Sequence, residues 1–197
     1  MPLYTVEHAI TLTSSQKDDL AVTITNIHST KFSTPKMFVN VTFTDVSEAR
    51  TYIGGKQRTA NHIKANVRSG PSRTQEDWNE LSMLIARAWD DIVGRGLPKI
   101  KRGSEDPDTS LRSVILLGDI IGGLEAGFVL PPAGGDVEWL HQNWEAFNFK
   151  ADDGDEEFKE LVKEVEVRGL LKEHDPDAKL KAAQAQMNEM LGWGDSA

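Results

Sequence analysis

The chain has 197 residues, no cysteine, 39% hydrophobic residues and a formal net charge of −9. These values exclude disulfide, thiolate and cysteine-ligated metal chemistry, and the acidic balance opposes binding to phosphate backbones. They suit one soluble domain with an appendage. No stretch reaches the roughly 20 apolar residues of a membrane span, so a cytoplasmic protein with neither nucleic acid nor membrane as partner is expected.

Leu3 to Ala9 alternates and reads as a strand starting directly behind Pro2. Thr13 and Gln16 have capping-box spacing, and Leu20, Ile24, Ile27 and His28 follow at helical intervals, which predicts a first helix. Met37 to Phe43 is β-branched and aromatic, as a second strand would be. Gly54-Gly55 marks a turn, His62 to Val67 a third strand, and RSGPSR at 68–73 a loop. Trp78, Leu81, Ile85, Ala88 and Ile92 form the stripe of a second long helix, from Thr74 to Val93, stopped by Gly94 and Gly96. The polar segment 101–111 predicts an exposed loop, and Ser113 to Leu117 a buried fourth strand followed by the glycine-rich turn GDIIGGLEAG.

Strand, helix, strand thus occurs twice. The pattern predicts an α/β (α+β) fold: a tandem β-α-β repeat with a four-stranded sheet and both helices on one face. The other face would be left open, which predicts an oligomer. Beyond Pro131-Pro132, Trp139, Trp144, Phe147 and Phe149 predict an aromatic cluster packed back on the body. An acidic hinge DDGDEE, an amphipathic helix through Phe158, Leu161, Val162 and Val165, and a last helix after Asp175-Pro176 complete the chain. The expected division is a body of residues 1–150 and an acidic helical extension of residues 151–197. That extension holds 13 acidic and 6 basic residues.

Chemistry is sought in few places. Removal of Met1 would leave Pro2 as a secondary amine, a base titrating near neutrality when buried beside cations. Arg68 and Arg73 flank a Gly/Pro/Ser turn ahead of the second helix, where two guanidinium forks suit a carboxylate. His28 lies on or beside the apolar stripe of the first helix, where a satisfied core histidine is the competing reading. Glu125 sits between glycines in GGLEAG. No phosphate loop, dinucleotide fingerprint, HExxH spacing or GxSxG elbow is present, so no cofactor and no metal is expected.

Together these residues resemble the tautomerase superfamily, and within it the cis-3-chloroacrylic acid dehalogenase group, over roughly residues 2–140. The resemblance rests on Pro2-Leu3-Tyr4, His28, TPKMFVNVTF, the IGG at 53–55, the NHI at 61–63, Arg68 and Arg73 about RSG, and LEAG…LPPAGG. It implies a cofactor-free homotrimer with a terminal proline as acid/base. A histidine and two arginines would hold a small carboxylate substrate, and a glutamate would activate water. By position these are Pro2, His28, Arg68, Arg73 and Glu125. Two features depart from the family pattern. Four residues, rather than two, separate the arginines, and the strand around Val114 to Leu116 lacks the tyrosine that assists water activation. The missing tyrosine counts against hydrolytic dehalogenation and leaves tautomerase chemistry standing. The rival reading is a non-catalytic oligomeric assembly protein that keeps the fold and interacts through its acidic C-terminal tail.

Overall fold

The computed structural model describes residues 2–94 and 108–171. The chain forms two compact units, one ending at Asp136 and the other starting at Val137. In the first unit β1 (Leu3–His8) leads into α1 (Ser14–Phe32), and β2 (Asn40–Asp45) returns parallel to β1. A short hairpin, β3 (Tyr52–Ile53) and β4 (Lys56–Gln57), follows. The pattern then repeats as β5 (Asn61–Asn66), α2 (Gln75–Val93) and β6 (Leu111–Leu117), with β6 parallel to β5. β1 and β5 pair antiparallel, which gives one sheet in the order β2-β1-β5-β6. A second hairpin, β7 (Leu124–Glu125) and β8 (Phe128–Val129), ends the repeat. The expected tandem β-α-β repeat is therefore the observed fold.

Both helices begin on the same device. Thr13 accepts the Gln16 N–H while Gln16 caps Thr13 in return, and Thr74 and Asp77 do the same for α2. α2 stops at Gly94, whose φ of 95° is a left-handed cap that a side chain would strain. Alternate residues of the inner strands, Tyr4 and Val6 on β1 and Ile63 and Ala65 on β5, point into one core with Leu20, Ile24, Leu81, Ile85 and Trp89. Trp89 is wholly buried and its indole N–H donates to Thr109 O at 2.9 Å. Truncating Ile24 or Ile85 to Ala would cost about 2–5 kcal/mol in lost burial and cavity.

The opposite sheet face is mixed. Leu3, Ile115 and Leu117 are each about 40% exposed, while Glu7 pairs with Lys64 at 2.7 Å and His62 bonds Ser113 at 2.8 Å.

Three strand starts differ from the sequence reading. The strand expected from Met37 begins at Asn40, because Lys36–Phe38 turns as a 3₁₀ helix behind Pro35. β1 starts only at Leu3, whose partner is Asn40, so Met37 has no ladder to join. β5 and β6 start earlier than expected, at Asn61 and Leu111, which pair with each other. Most of the loop expected over 101–111 lies outside the described residues.

α3 (Asp136–Asp152) starts on the last residue of the first unit and continues into the second, where α4 (Glu156–Arg168) follows. Residue 150, the expected boundary, lies inside α3. Trp139 and Phe147 stack at 5.3 Å, and Phe147 meets Phe158 of α4 at 5.7 Å. Phe149 does not join them and is 72% exposed, since two positions along a helix point nearly opposite ways. The helix expected after Asp175-Pro176 lies outside the described residues.

Candidate active site

The sheet register brings distant residues to one end of the first unit. Antiparallel pairing sets Leu3 against Asn66, so Pro2 falls level with Val67, one residue before Arg68. Pro2 O accepts the Asn40 N–H at 3.1 Å. Strand alternation puts Pro2 and Tyr4, both buried, on the helix-facing side.

Asn40 has a second role. Its side-chain amide donates to Glu125 Oε1 at 2.8 Å, so one residue ties the Pro2 carbonyl to the Glu125 carboxylate. Glu125 Oε2 is buried without a hydrogen-bond partner. The β7–β8 turn behind it holds Ala126 at φ 50° and Gly127 at φ 91°, the two positive angles that a tight hairpin demands.

Two residues beyond Pro2, the Tyr4 hydroxyl lies 2.8 Å from His28 Nδ1 inside the core. Burial, opposed by Arg73, pushes the Tyr4 phenol well above its usual range, so it stays protonated. Burial, together with the positive charges of Arg73, the chain's amino terminus and Arg68, lowers His28 to about 3. The imidazole is neutral at pH 7. With Tyr4 donating to Nδ1, the ring proton sits on Nε2.

His28 stacks against Phe32 at 5.0 Å, and the Arg73 guanidinium lies over the same Phe32 ring at 4.2 Å. Arg73 Nη1 donates to Arg68 O at 3.0 Å; its Nη2 is buried and makes no hydrogen bond. Arg68 is more fully engaged. Its Nη1 donates to Pro131 O and Pro132 O at 2.6 and 3.2 Å, and its Nη2 to Asp136 Oδ1 at 2.6 Å. Asp136 Oδ1 also accepts from the Thr34 hydroxyl at 3.2 Å. Asp136 Oδ2 stands 3.7 Å from Arg73 Nη2 and makes no hydrogen bond.

Thus Pro2 and Glu125 meet through Asn40, and His28 meets Arg73 through Phe32. Arg68 meets Arg73 by contact, and Asp136 faces both. Asn40, Tyr4, Phe32 and Asp136 were not among the residues singled out from sequence. The alternation of β1 pointed to Tyr4, which shares the Pro2 side. Nothing in the spacing pointed to Asp136. Trp78, 5.7 Å from the Arg73 guanidinium, also lines a cleft of about 320 Å³ with Val67, Ser69, Asn79 and Leu116. Among the described residues no cluster of His, Asp and Glu could hold a metal ion, and no helix is long and apolar enough to cross a membrane.

Residues 1–106 match the family model "Tautomerase_3: Putative oxalocrotonate tautomerase enzyme". Among solved structures, N1, a member of the cis-3-chloroacrylic acid dehalogenase (cis-CaaD) family, superposes with a TM-score of 0.56 at 19% identity, covering 77% of this chain and 99% of its own. A fused 4-OT wild-type symmetric trimer, Q0, reaches 0.49 at 16% identity, covering 64% and 94%. Native Ps01740 reaches 0.45 at 22% identity, covering 58% and 89%. No curated protein matches the chain.

Proposed function

The chain belongs to the Tautomerase_3 family, and we propose that it is a cofactor-independent enzyme that uses the amino group of Pro2 for proton transfer on small unsaturated carboxylates. The observation that carries this reading is a charge imbalance. Two buried guanidiniums, Arg68 and Arg73, face one carboxylate, and the Nη2 of Arg73 has no acceptor. A buried unpaired cation donor is costly, and a substrate carboxylate is the group that would satisfy it.

In the proposed mechanism Arg73 takes the substrate carboxylate, with neutral His28 behind it as a hydrogen-bonding wall rather than a charge. Pro2, freed of Met1, removes a proton from the enol hydroxyl or the adjacent carbon as a neutral amine. It then returns a proton to the neighbouring carbon, so the double bond moves and no group is lost. Nearby guanidiniums disfavour the ammonium form, which keeps the amine available as a base. Glu125, oriented by Asn40, serves as a second acid/base. Water addition in a hydratase or dehalogenase mode would also need a donor on β6, where Val114, Ile115 and Leu116 offer none.

The decisive experiment is turnover of a panel of enol acids, acetylenic acids and 3-halo-acrylates, with Pro2→Ala as control and the intact mass measured. Activity on enol acids lost in Pro2→Ala supports the reading. Equal activity in the variant, or a Met1 retained on active protein, ends the Pro2 mechanism, and no turnover of any member of the panel favours the non-catalytic assembly protein. For assembly we propose a homotrimer built through the sheet face of Leu3, Ile115 and Leu117. Light scattering giving a stable monomer at micromolar concentration would count against it.

A further inference from the structure

The arginine pair already holds a carboxylate, and it is the chain's own. Asp136 directs Oδ1 to Arg68 Nη2 at 2.6 Å and Oδ2 toward Arg73 Nη2 at 3.7 Å. One oxygen to each guanidinium is the arrangement that two arginine forks would adopt around the carboxylate of a small acid. Arg68, Arg73 and Asp136 are all more than nine-tenths buried. The two halves of the pair are unequal. The Arg68 half is short and reinforced by Thr34, whereas the Arg73 half lacks a hydrogen bond, leaving donor and acceptor each unpartnered.

We infer that Asp136 is an internal competitor for the carboxylate site, seated between Arg68 and Arg73 so that an incoming acid must displace it from the Arg73 side. The inference rests on the proposed role of the arginines as the carboxylate site. Asp136 is therefore a specificity-determining residue. It sets a threshold that only a well-placed carboxylate passes, and it leaves Arg73 as the substrate-facing cation while Arg68 stays pinned.

The segment that carries Asp136 is a strap laid on the arginine loop. Arg68 holds the Pro131 and Pro132 carbonyls, and the Ser72 hydroxyl donates to Ala133 O at 3.2 Å. Gly134, at φ 82°, lies so close to Ser72 that a β-carbon there would collide with the serine side chain. The close fit seats Asp136. A substitution at Gly134 lifts the strap without altering either arginine or the aspartate.

The test is binding of propionate, a monocarboxylate with no double bond to react, measured by calorimetry on the full chain. Wild type, Asp136→Asn, Gly134→Ala and the double variant Asp136→Asn/Arg73→Ala are compared, and folding is checked by circular dichroism. The expected result is propionate binding at least ten-fold tighter in Asp136→Asn than in wild type, and tightness lost again in the double variant. Gly134→Ala should shift the same way, and decides the question if Asp136→Asn does not fold. Unchanged or weaker binding in the folded variants, while wild type binds through Arg73, overturns the inference and leaves the proposed function standing. No propionate binding in any form, together with unaltered turnover in Arg73→Ala, removes the carboxylate site itself and both readings with it.

Discussion

The two β-α-β repeats are nearly the same object built twice. Each has a strand of six residues, a capping-box threonine, a helix of 19 residues and a parallel return strand. Their chemical loads differ. The first repeat brings Pro2, Tyr4, His28 and Asn40, none of which carries a side-chain charge at neutral pH. The second brings Arg68 and Arg73. Because β1 and β5 run antiparallel, the beginning of β1 and the end of β5 meet at one end of the sheet. A duplicated scaffold thus yields an asymmetric cluster: neutral hydrogen-bonding groups arrive from one copy and cations from the other.

The comparison can be broken most sharply at Pro2. Pro2→Ala should lower turnover of enol acids by about 10²–10⁴, the usual contribution of a positioned acid or base, with an unchanged circular dichroism spectrum. Full activity would reassign the chemistry away from the first repeat. Next in size is Arg68. Arg68→Ala leaves Asp136 buried without its close partner, so denaturant melts should show a loss of about 3–5 kcal/mol. A loss of binding without a loss of stability would mean that Arg68 is a substrate ligand and not a pin.

His28 tests the buried part of the first repeat through pH. Its folded pKa of about 3 lies below the ordinary 6.5, so the unfolded chain takes up the proton more readily. The stability it contributes is fully present above pH 6.5. It falls away as the pH drops toward 3, by an amount on the order of a few kcal/mol. His28→Gln should flatten that slope in stability measured across pH 3–7, and an unchanged slope would place the titration elsewhere. For Arg73, the Lys variant should raise KM about 10- to 100-fold with kcat nearly kept, because a point charge makes neither the fork nor the Phe32 stack. A fall in kcat alone would move Arg73 from binding to the chemical step. The smallest effect concerns the scaffold. Thr13→Ala and Thr74→Ala should each cost about 1 kcal/mol, and a large inequality between them would show that the repeats are not equivalent frameworks.

Local features of the fold were legible in the sequence, and long-range ones were not. The Thr13 box and the Thr74 start foretell where both helices begin to within a residue or so, because caps and helical stripes depend on neighbours three or four positions away. The start of β2 was misplaced because it depends on where β1 begins, some 37 positions earlier. Phe149 was grouped with the rings around it because aromatic composition carries no phase until the helix is known. Among the candidate residues, Arg68 and Arg73 were visible as a pair, but their partner Asp136 stands 68 positions after the first of them. It reads as an ordinary acidic residue after a Pro/Gly turn. Asn40 sits in a strand the sequence announces, but its own part in the site acquires meaning only when the register puts it beside Pro2.

Ala126 is a case of local frustration with a bearing on Glu125. A non-glycine residue at φ 50° costs on the order of 1 kcal/mol, and the next position, Gly127, shows how the relaxed alternative is made. Replacing Ala126 by glycine would relieve that strain and at the same time widen the conformational freedom of the unfolded turn, two effects of opposite sign and similar size. The net change in stability is small, so the methyl group matters in another currency. It narrows the excursions open to the hairpin and acts as an entropic brake on the carboxylate directly ahead of it.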